Sequence, residues 1–259
     1  MQLFKVTIFG SLCGFVLISG CGKKKKDGDS AQASFSFKNK TSLALAAPAT
    51  CQGDAKSFTN PTCYTPTAYG LKMLKVYVSP DQQGATSAPA GLIWKNAACS
   101  VSSSSSTIDG KEFTYDYAAD GCTDDIVTTY FELARATDAV NAELTSTKYK
   151  ILPGTYNYVQ IEFCVGGAKS KNVQFQADGM ASVYQITRNT CGVSSAKADP
   201  AIVVAEGESV TVSLSYDLSG IIFQRSTITA ADYCYTNAES TIDRCFASPV
   251  NLTPSMVKN

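Results

Sequence analysis

The sequence predicts an all-β protein, an antiparallel β-sandwich with one short helix and loops held by disulfide bonds. Three observations support this prediction. Several segments alternate between apolar and polar residues, only one segment has a helical pattern, and eight cysteines are spread along the chain beyond residue 21. Alternation with a period of two is typical of strands that bury one face, and paired cysteines are typical of exported domains.

The alternation is clearest in residues 210–216, where Val210, Val212 and Leu214 interleave with Thr211 and Ser213. The other segments with this pattern are also predicted strands: residues 34–37, 71–79, 127–133, 155–165, 173–177 and 182–187. The dipeptide Asp178-Gly179 separates the last two segments and predicts a hairpin turn.

Four segments depart from the strand pattern. Residues 134–144 (ARATDAVNAEL) predict a short helix, with Thr137 or Asp138 able to cap it. The serine run at residues 102–106 predicts a mobile loop. Residues 152–154 (LPG) predict a type II turn in which glycine adopts a positive φ. The tail from residue 227 is expected to add one edge strand.

The first 20 residues have the three parts of an export signal. Lys5 supplies a positive charge, residues 6–18 are apolar, and the segment ends in Ile18-Ser19-Gly20-Cys21. This ending resembles the lipobox of bacterial lipoproteins, which implies that Cys21 receives diacylglycerol and becomes the mature N-terminus. An uncleaved membrane anchor is the alternative, but the apolar run is shorter than the roughly 20 residues that span a bilayer as a helix.

The lipobox resemblance also predicts how the mature chain meets the membrane. More than one acyl chain on Cys21 would hold the protein stably on a bilayer. Gly22, in place of an aspartate, favours the outer membrane by resemblance to Gram-negative sorting rules. We expect residues 21–33 to be a lipidated flexible tether and residues 34–259 a single sandwich domain with a cysteine-bridged tail. The four lysines at residues 23–26 are either a solvated spacer or a contact to anionic headgroups.

The eight cysteines beyond Cys21 are predicted to form four disulfides between nearest neighbours in the sequence. Each such pair brackets a polar, turn-rich segment, although eight cysteines allow 105 pairings. A metal site is the alternative, but no two of these cysteines have C-x₂-C spacing. The predicted pairs are Cys51–Cys63, Cys99–Cys122, Cys164–Cys191 and Cys234–Cys245.

The chain contains no histidine, which excludes several classes of enzyme. Ser-His-Asp and Cys-His catalysis, imidazole acid–base chemistry and the usual His-containing zinc sites all require one. Without the signal, the chain carries one net negative charge, so nucleic acid is not an expected partner. No cofactor is expected.

Three motifs in the middle of the chain resemble an uncharacterised group of bacterial lipoprotein domains. They are Trp94, the segment Tyr130-Phe131-Glu132-Leu133 and the segment Ile151-Leu152-Pro153-Gly154-Thr155-Tyr156 before a long strand. The chain departs from that group at Glu132, which stands for an aspartate, and in lacking an alanine before Gly154. The resemblance spans residues 69–223 and implies an immunoglobulin-like or transthyretin-like sandwich. It implies no activity.

Aromatic residues on the predicted strands are the candidates for ligand contact. Trp94, Tyr156 and Tyr158 could stack on sugar rings, whereas packing is the commoner role of such residues. The other tyrosines considered with them are Tyr115, Tyr117 and Tyr184.

Two further motifs are weaker. Asp120, Asp124 and Asp125 surround Cys122 and are a calcium candidate, with solvated acids as the alternative. Residues 194–197 (SSAK) match the S-x-x-K motif of penicillin-recognising enzymes, but the companion motifs of those enzymes are absent and we expect a chance match.

Three functions remain open from these observations. The first is a non-enzymatic envelope lipoprotein that binds a glycan or an envelope protein. The second is an envelope hydrolase that uses paired carboxylates, whose separation the sequence does not reveal. The third is a purely structural envelope component.

Overall fold

The computed structural model describes residues 26–40, 51, 63–82, 91–118, 130–134, 137–163, 171–180, 182–187, 192–225, 233–236, 242–247 and 252–259. Their elements are β1 (Lys26–Asp27), β2 (Ala31–Asn39), β3 (Cys63–Tyr64), β4 (Pro66–Leu71), β5 (Met73–Ser79), β6 (Gly91–Lys95), β7 (Val101–Ile108), β8 (Lys111–Ala118), β9 (Phe131–Glu132), α1 (Thr137–Leu144), β10 (Tyr149–Ile151), β11 (Gly154–Phe163), β12 (Lys171–Ala177), β13 (Tyr184–Thr187), β14 (Gly192–Val204), β15 (Ser209–Tyr216), β16 (Ile221–Arg225), β17 (Tyr233–Thr236), β18 (Ile242–Ala247) and β19 (Leu252–Lys258). The predicted all-β, sandwich-like fold is confirmed.

Two four-stranded sheets form the sandwich, in the orders β10-β2-β15-β19 and β14-β11-β5-β6. In the described residues, apolar positions of the predicted strands are buried in a common core, as in Val210 and Val212 of one sheet and Val159 and Ile161 of the other. Leu74, predicted on the same face as Val76 and Val78, is also buried but packs with Cys99 in a separate cluster.

The sheets are not wholly antiparallel, because β2 pairs with β15 in parallel. The polar side of this pair is also buried. The Ser36 and Ser213 hydroxyl groups form a hydrogen bond of 2.6 Å, and the Ser34 and Thr211 hydroxyl groups form one of 3.1 Å. The prediction of half-buried strands is thus wrong here. Strands buried on both faces are typical of parallel pairs.

An eight-stranded sheet, in the order β3-β16-β18-β17-β13-β12-β4-β9, adds to the same core. Phe175 and Phe223 stack with ring centroids 4.6 Å apart, and Tyr69 packs edge-on against Phe175. The tail contributes three strands rather than the one expected, and β19 forms an edge of the sandwich by pairing with β15.

The serine run is a strand, which corrects the prediction of a mobile loop. Residues 101–108 form β7 and pair with β8 along their whole length. Asp109 and Gly110 connect the two strands with φ values of 49° and 77°. Two positive φ values in a two-residue Asp-Gly turn are typical of type I′ hairpins, and this turn sets the register of the serines.

The helix is confirmed as α1, and the hairpin between β12 and β13 is confirmed with Gly179 at a φ of 82°. The type II turn predicted at residues 152–154 is wrong. Gly154 does not adopt a positive φ; it begins β11 directly and pairs with Val204.

Residues 26–33, which the sequence assigned to the flexible tether of residues 21–33, belong to the folded domain. Lys26 and Asp27 form β1 against β8, and Ala31 already belongs to β2 and is fully buried. A side chain on Gly28 would collide with the Phe113 ring, because a Cβ placed there lies 2.3 Å from Cε1.

Cys51 and Cys63 form a disulfide with their Cα atoms 5.3 Å apart, which is the first predicted pair. Cys99 is also disulfide-bonded. Cys234 and Cys245 lie on the neighbouring strands β17 and β18, whereas Cys122, Cys164 and Cys191 fall outside the described part of the chain. The other three pairings stay predictions.

Candidate ligand-contact surface

Trp94 and Tyr156 are packing residues, which corrects their assignment as ligand contacts. Trp94 is 7% exposed and packs edge-on against Phe131, with ring centroids 5.9 Å apart. Tyr156 is 4% exposed, and its hydroxyl donates to the Leu152 carbonyl oxygen at 2.7 Å. Burial, with a smaller contribution from Tyr115, raises the pKa of Tyr156 above its usual value. Neither ring offers a face to a ligand.

Tyr158 lies on the other side of its sheet, although it is only two residues from Tyr156. The register of β11 against β14 shifts between these tyrosines, so that Tyr156 pairs with Ile202 and Tyr158 with Lys197. A bulge changes which residues face the core. Tyr158 therefore shares the outer face with Gln160 and is half-buried.

The Gln160 side chain binds the segment that follows β5, at residues 81–82, to this outer face. The Gln160 side chain is fully buried, and Nε2 donates to the carbonyl oxygens of Asp81, at 3.1 Å, and Gln82. Nε2 also lies within hydrogen-bond distance of the Ser195 hydroxyl oxygen, at 3.3 Å. Among the described residues, Oε1 has no hydrogen-bond partner. Sequence alternation placed Gln160 on the outer face but did not indicate that a loop covers it.

An ion pair borders Gln160 on the same face. Lys75 Nζ lies 2.9 Å from Glu162 Oε2 and 5.9 Å from the centre of the Tyr77 ring. Burial, with a smaller contribution from the Glu162 charge, raises the pKa of Tyr77 to about 12. This neighbourhood is a packed polar network rather than an open cleft.

The S-x-x-K match lies in β14, where Ser194 pairs with Ile161 and Lys197 with Tyr158. Residues three apart in a strand point to opposite faces. Ser194 and Lys197 therefore do not form the serine–lysine arrangement of penicillin-recognising enzymes, as expected for a chance match.

Among the tyrosines whose side chains the structure describes, the exposed one is Tyr117 on β8. Tyr117 is 42% exposed, and its ring centroid is 6.2 Å from that of the half-buried Tyr115. Across the hairpin they pair with Ser102 and Ser104 of β7, so aromatic rings and hydroxyls share one face. We call this face, formed by Ser102, Ser104, Tyr115 and Tyr117, the serine–tyrosine face. The Asp109-Gly110 dipeptide before the alternating residues 111–118 was the sequence signal that could have predicted it.

The motifs that resemble the group of lipoprotein domains make contacts within the core. Glu132 Oε1 accepts hydrogen bonds from the backbone N–H groups of Tyr69, at 2.6 Å, and Ala134, at 2.9 Å. The Tyr216 hydroxyl donates to the Leu133 carbonyl oxygen at 2.6 Å. With Trp94 on Phe131, these contacts give the motif residues a structural role.

Asp120, Asp124 and Asp125 lie outside the described residues, so the calcium candidate stays a prediction. Within the described ranges, no three His, Cys, Asp or Glu side chains are grouped to hold a metal ion. No helix in the same ranges is long and apolar enough to cross a membrane.

Comparison with known proteins found no match: no family, curated protein or solved structure is significantly similar to this chain.

Proposed function

We propose that this protein is a lipid-anchored component of the bacterial outer membrane that binds a glycan or an envelope protein. The observation that carries the proposal is a β-domain with the Cys51–Cys63 disulfide. In the sequence, this domain follows a segment that resembles a lipobox at Cys21. Disulfides persist in oxidising compartments such as the bacterial periplasm and cell surface. Both features fit the same exported protein.

The serine–tyrosine face is the best-supported place for ligand contact. The exposed Tyr117 ring and the neighbouring Ser102 hydroxyl combine an apolar stacking surface with hydrogen-bonding groups. Tyrosine is favoured at binding surfaces because one end of its side chain is apolar and the other polar. Trp94 and Tyr156 take no part in this proposal.

Several described carboxylates hold structural positions, which supports a binding role over hydrolysis. Asp116 accepts hydrogen bonds from the Ser103 hydroxyl and the Lys150 backbone, and Asp217 accepts from Ser219. Glu132 accepts from two backbone groups in the same way. A carboxylate pair for hydrolysis needs one acid and one base or nucleophile free to face the substrate.

The anchor is tested by comparing two cysteine variants of the full chain in cells. Cys21→Ala is expected to move the protein from the membrane fraction to the soluble fraction, because the acyl chains would be lost. Cys13→Ala, inside the apolar segment of the signal, is the matched control and should stay with the membrane. Membrane retention of Cys21→Ala contradicts the proposed anchor.

Binding is tested with glycan arrays and with crosslinking to envelope proteins. Tyr117→Ala should abolish the interaction, whereas Thr114→Ala, on the exposed opposite face of the same strand, should preserve it. Equal binding by the two variants contradicts the assignment of the serine–tyrosine face as the ligand contact.

Turnover in a hydrolase screen, abolished by one carboxylate substitution, would overturn the proposal that the protein is not an enzyme.

A further inference from the structure

We propose that one end of the sandwich rests on the lipid headgroup layer, so that the domain has a fixed orientation on the membrane. We call this end the proximal pole; it contains β1, the Asp109-Gly110 turn, the turn at residues 205–208, Lys148 and Lys258. The inference deepens the proposed function, because it rests on lipid attachment at Cys21. Its occupant is the bilayer surface itself.

The chain is fixed to the proximal pole almost as soon as it leaves the anchor. Lys26 and Asp27 pair with Lys111 and Glu112, and the Gly28 N–H donates to the Glu112 carbonyl oxygen at 2.8 Å. These contacts begin five residues after Cys21.

Asp29 continues this attachment to the turn that precedes β15. The Gly207 N–H donates to the Asp29 carbonyl oxygen at 2.9 Å, and the Asp29 N–H donates to Glu206 Oε1 at 3.2 Å. Ser30 adds a hydrogen bond from its hydroxyl to the Thr114 carbonyl oxygen. Residues 26–30, with which the described chain begins, therefore bind both to β8 and to the turn between β14 and β15.

The segment between the anchor and β1 is short compared with the domain. Five residues span at most about 18 Å when fully extended. A domain of about 220 residues has a radius of gyration of about 17 Å, which corresponds to a diameter of about 45 Å. The short tether keeps the proximal pole within about 18 Å of the membrane. The opposite end, which we call the distal pole and which contains the turns at residues 96–99 and 217–220, approaches the membrane only when the domain lies on its side.

The charges of the proximal pole are compatible with a headgroup surface. Lys111 Nζ lies 2.7 Å from Glu206 Oε2, and Lys258 Nζ lies 2.7 Å from Glu208 Oε1. These ion pairs neutralise carboxylates that anionic lipids would otherwise repel.

Exposed Lys26 and Lys148 are balanced by acids that include Asp27 and Asp109, so the pole is not a strongly basic patch. Tether length, rather than charge attraction, therefore keeps the proximal pole at the membrane. The orientation should persist at high salt, where the Debye length falls to about 3 Å at 1 M.

The fixed orientation places the serine–tyrosine face away from the bilayer. Strand β8 starts at Lys111 in the proximal pole, and Tyr117 is six residues further along. A strand rises about 3.4 Å per residue, so Tyr117 is about 20 Å further from the membrane than Lys111 when the strand stands upright. The proposed ligand contact is thus presented towards partners beyond the membrane surface.

The test compares a fluorescent amino acid at Ala205 with the same amino acid at Ala97 in the acylated, full-length protein. Both alanines are exposed, Ala205 in the proximal pole and Ala97 in the distal pole. The protein is bound to vesicles that contain nitroxide-headgroup lipids. Quenching at Ala205 is expected to exceed quenching at Ala97 several-fold, both at low salt and at 1 M salt.

A lengthened tether is the matched control for this measurement. Inserting 25 Gly/Ser residues after Lys25 adds a root-mean-square length of about 28 Å and a fully extended length of about 85 Å. The difference between Ala205 and Ala97 should then fall sharply, while the protein still sediments with the vesicles. Equal quenching at the two positions with the native tether overturns the orientation and leaves the anchor intact. A wild-type protein without acyl chains overturns both proposals.

Discussion

The side chain of Asn141 occupies the position of a neighbouring strand beside Phe37. Nδ2 donates to the Phe37 carbonyl oxygen at 2.9 Å, and Oδ1 accepts from the Phe37 N–H at 2.8 Å. Strand β10 pairs with β2 only at residues 31–33. Helix α1 therefore extends the edge of the sheet where β10 no longer reaches it, and satisfies backbone groups that would otherwise need another strand.

Asn141→Ala should destabilise the sandwich by about 1–3 kcal/mol, because it removes both hydrogen bonds to a partly buried strand. The measurement is the free energy of unfolding in urea with the disulfides intact. Ala142→Ser, at an exposed position of the same helix, is the control and should change stability little. Equal stability of the two variants would show that Asn141 does not tie the helix to β2.

Glu132→Ala should cost about 1–3 kcal/mol, because the N–H groups of Tyr69 and Ala134 lose a shared acceptor. Glu132→Gln keeps an oxygen at this position and should recover most of the loss. Urea unfolding of both variants gives the comparison. If the Gln variant is as unstable as the Ala variant, charge rather than hydrogen bonding explains the role of Glu132.

Glu208 should contribute to stability above the usual pKa of a glutamate and lose that contribution in acid. The N–H of Ala205, followed by Lys258, lowers the pKa of Glu208 in the folded protein. A lowered folded-state pKa means that the stabilisation fades as pH falls through it. Glu208→Gln should therefore weaken the loss of stability that occurs as pH falls below the usual pKa of a glutamate. An unchanged loss of stability in acid contradicts this role.

Cys51→Ser with Cys63→Ser should destabilise the domain by about 3 kcal/mol, the chain-entropy value for a loop of this length. Cysteines 51 and 63 are separated by 12 residues in the sequence. Peptide mapping of the non-reduced protein should also recover the other predicted pairs, including Cys234–Cys245. A Cys63–Cys99 peptide would contradict both the structure and the nearest-neighbour rule.

The strands were predictable because burial of the core-facing side selects an apolar residue at every second position. Val210, Val212 and Leu214 show this pattern and are fully buried. The parallel pairing of β2 with β15 was not predictable, since it joins strands about 175 residues apart along the chain. Pairing over such distances depends on packing, which local patterns do not encode.

The candidate site was less predictable than the fold. A bulge between Tyr156 and Tyr158 places them on opposite faces. The serine run of β7 has low strand propensity, yet its register is set by the Asp109-Gly110 turn and by pairing with β8. The serine–tyrosine face therefore includes two residues from the predicted loop, Ser102 and Ser104, and both are half-buried.

The most direct test of the membrane anchor is the mass of the N-terminal peptide from protein extracted from bacterial membranes. We expect this peptide to begin at Cys21 and to carry the mass of a diacylglyceryl group and a further acyl chain. An N-terminal peptide that begins at Met1, or one that begins at Cys21 without lipid, would contradict the anchor and the orientation that depends on it.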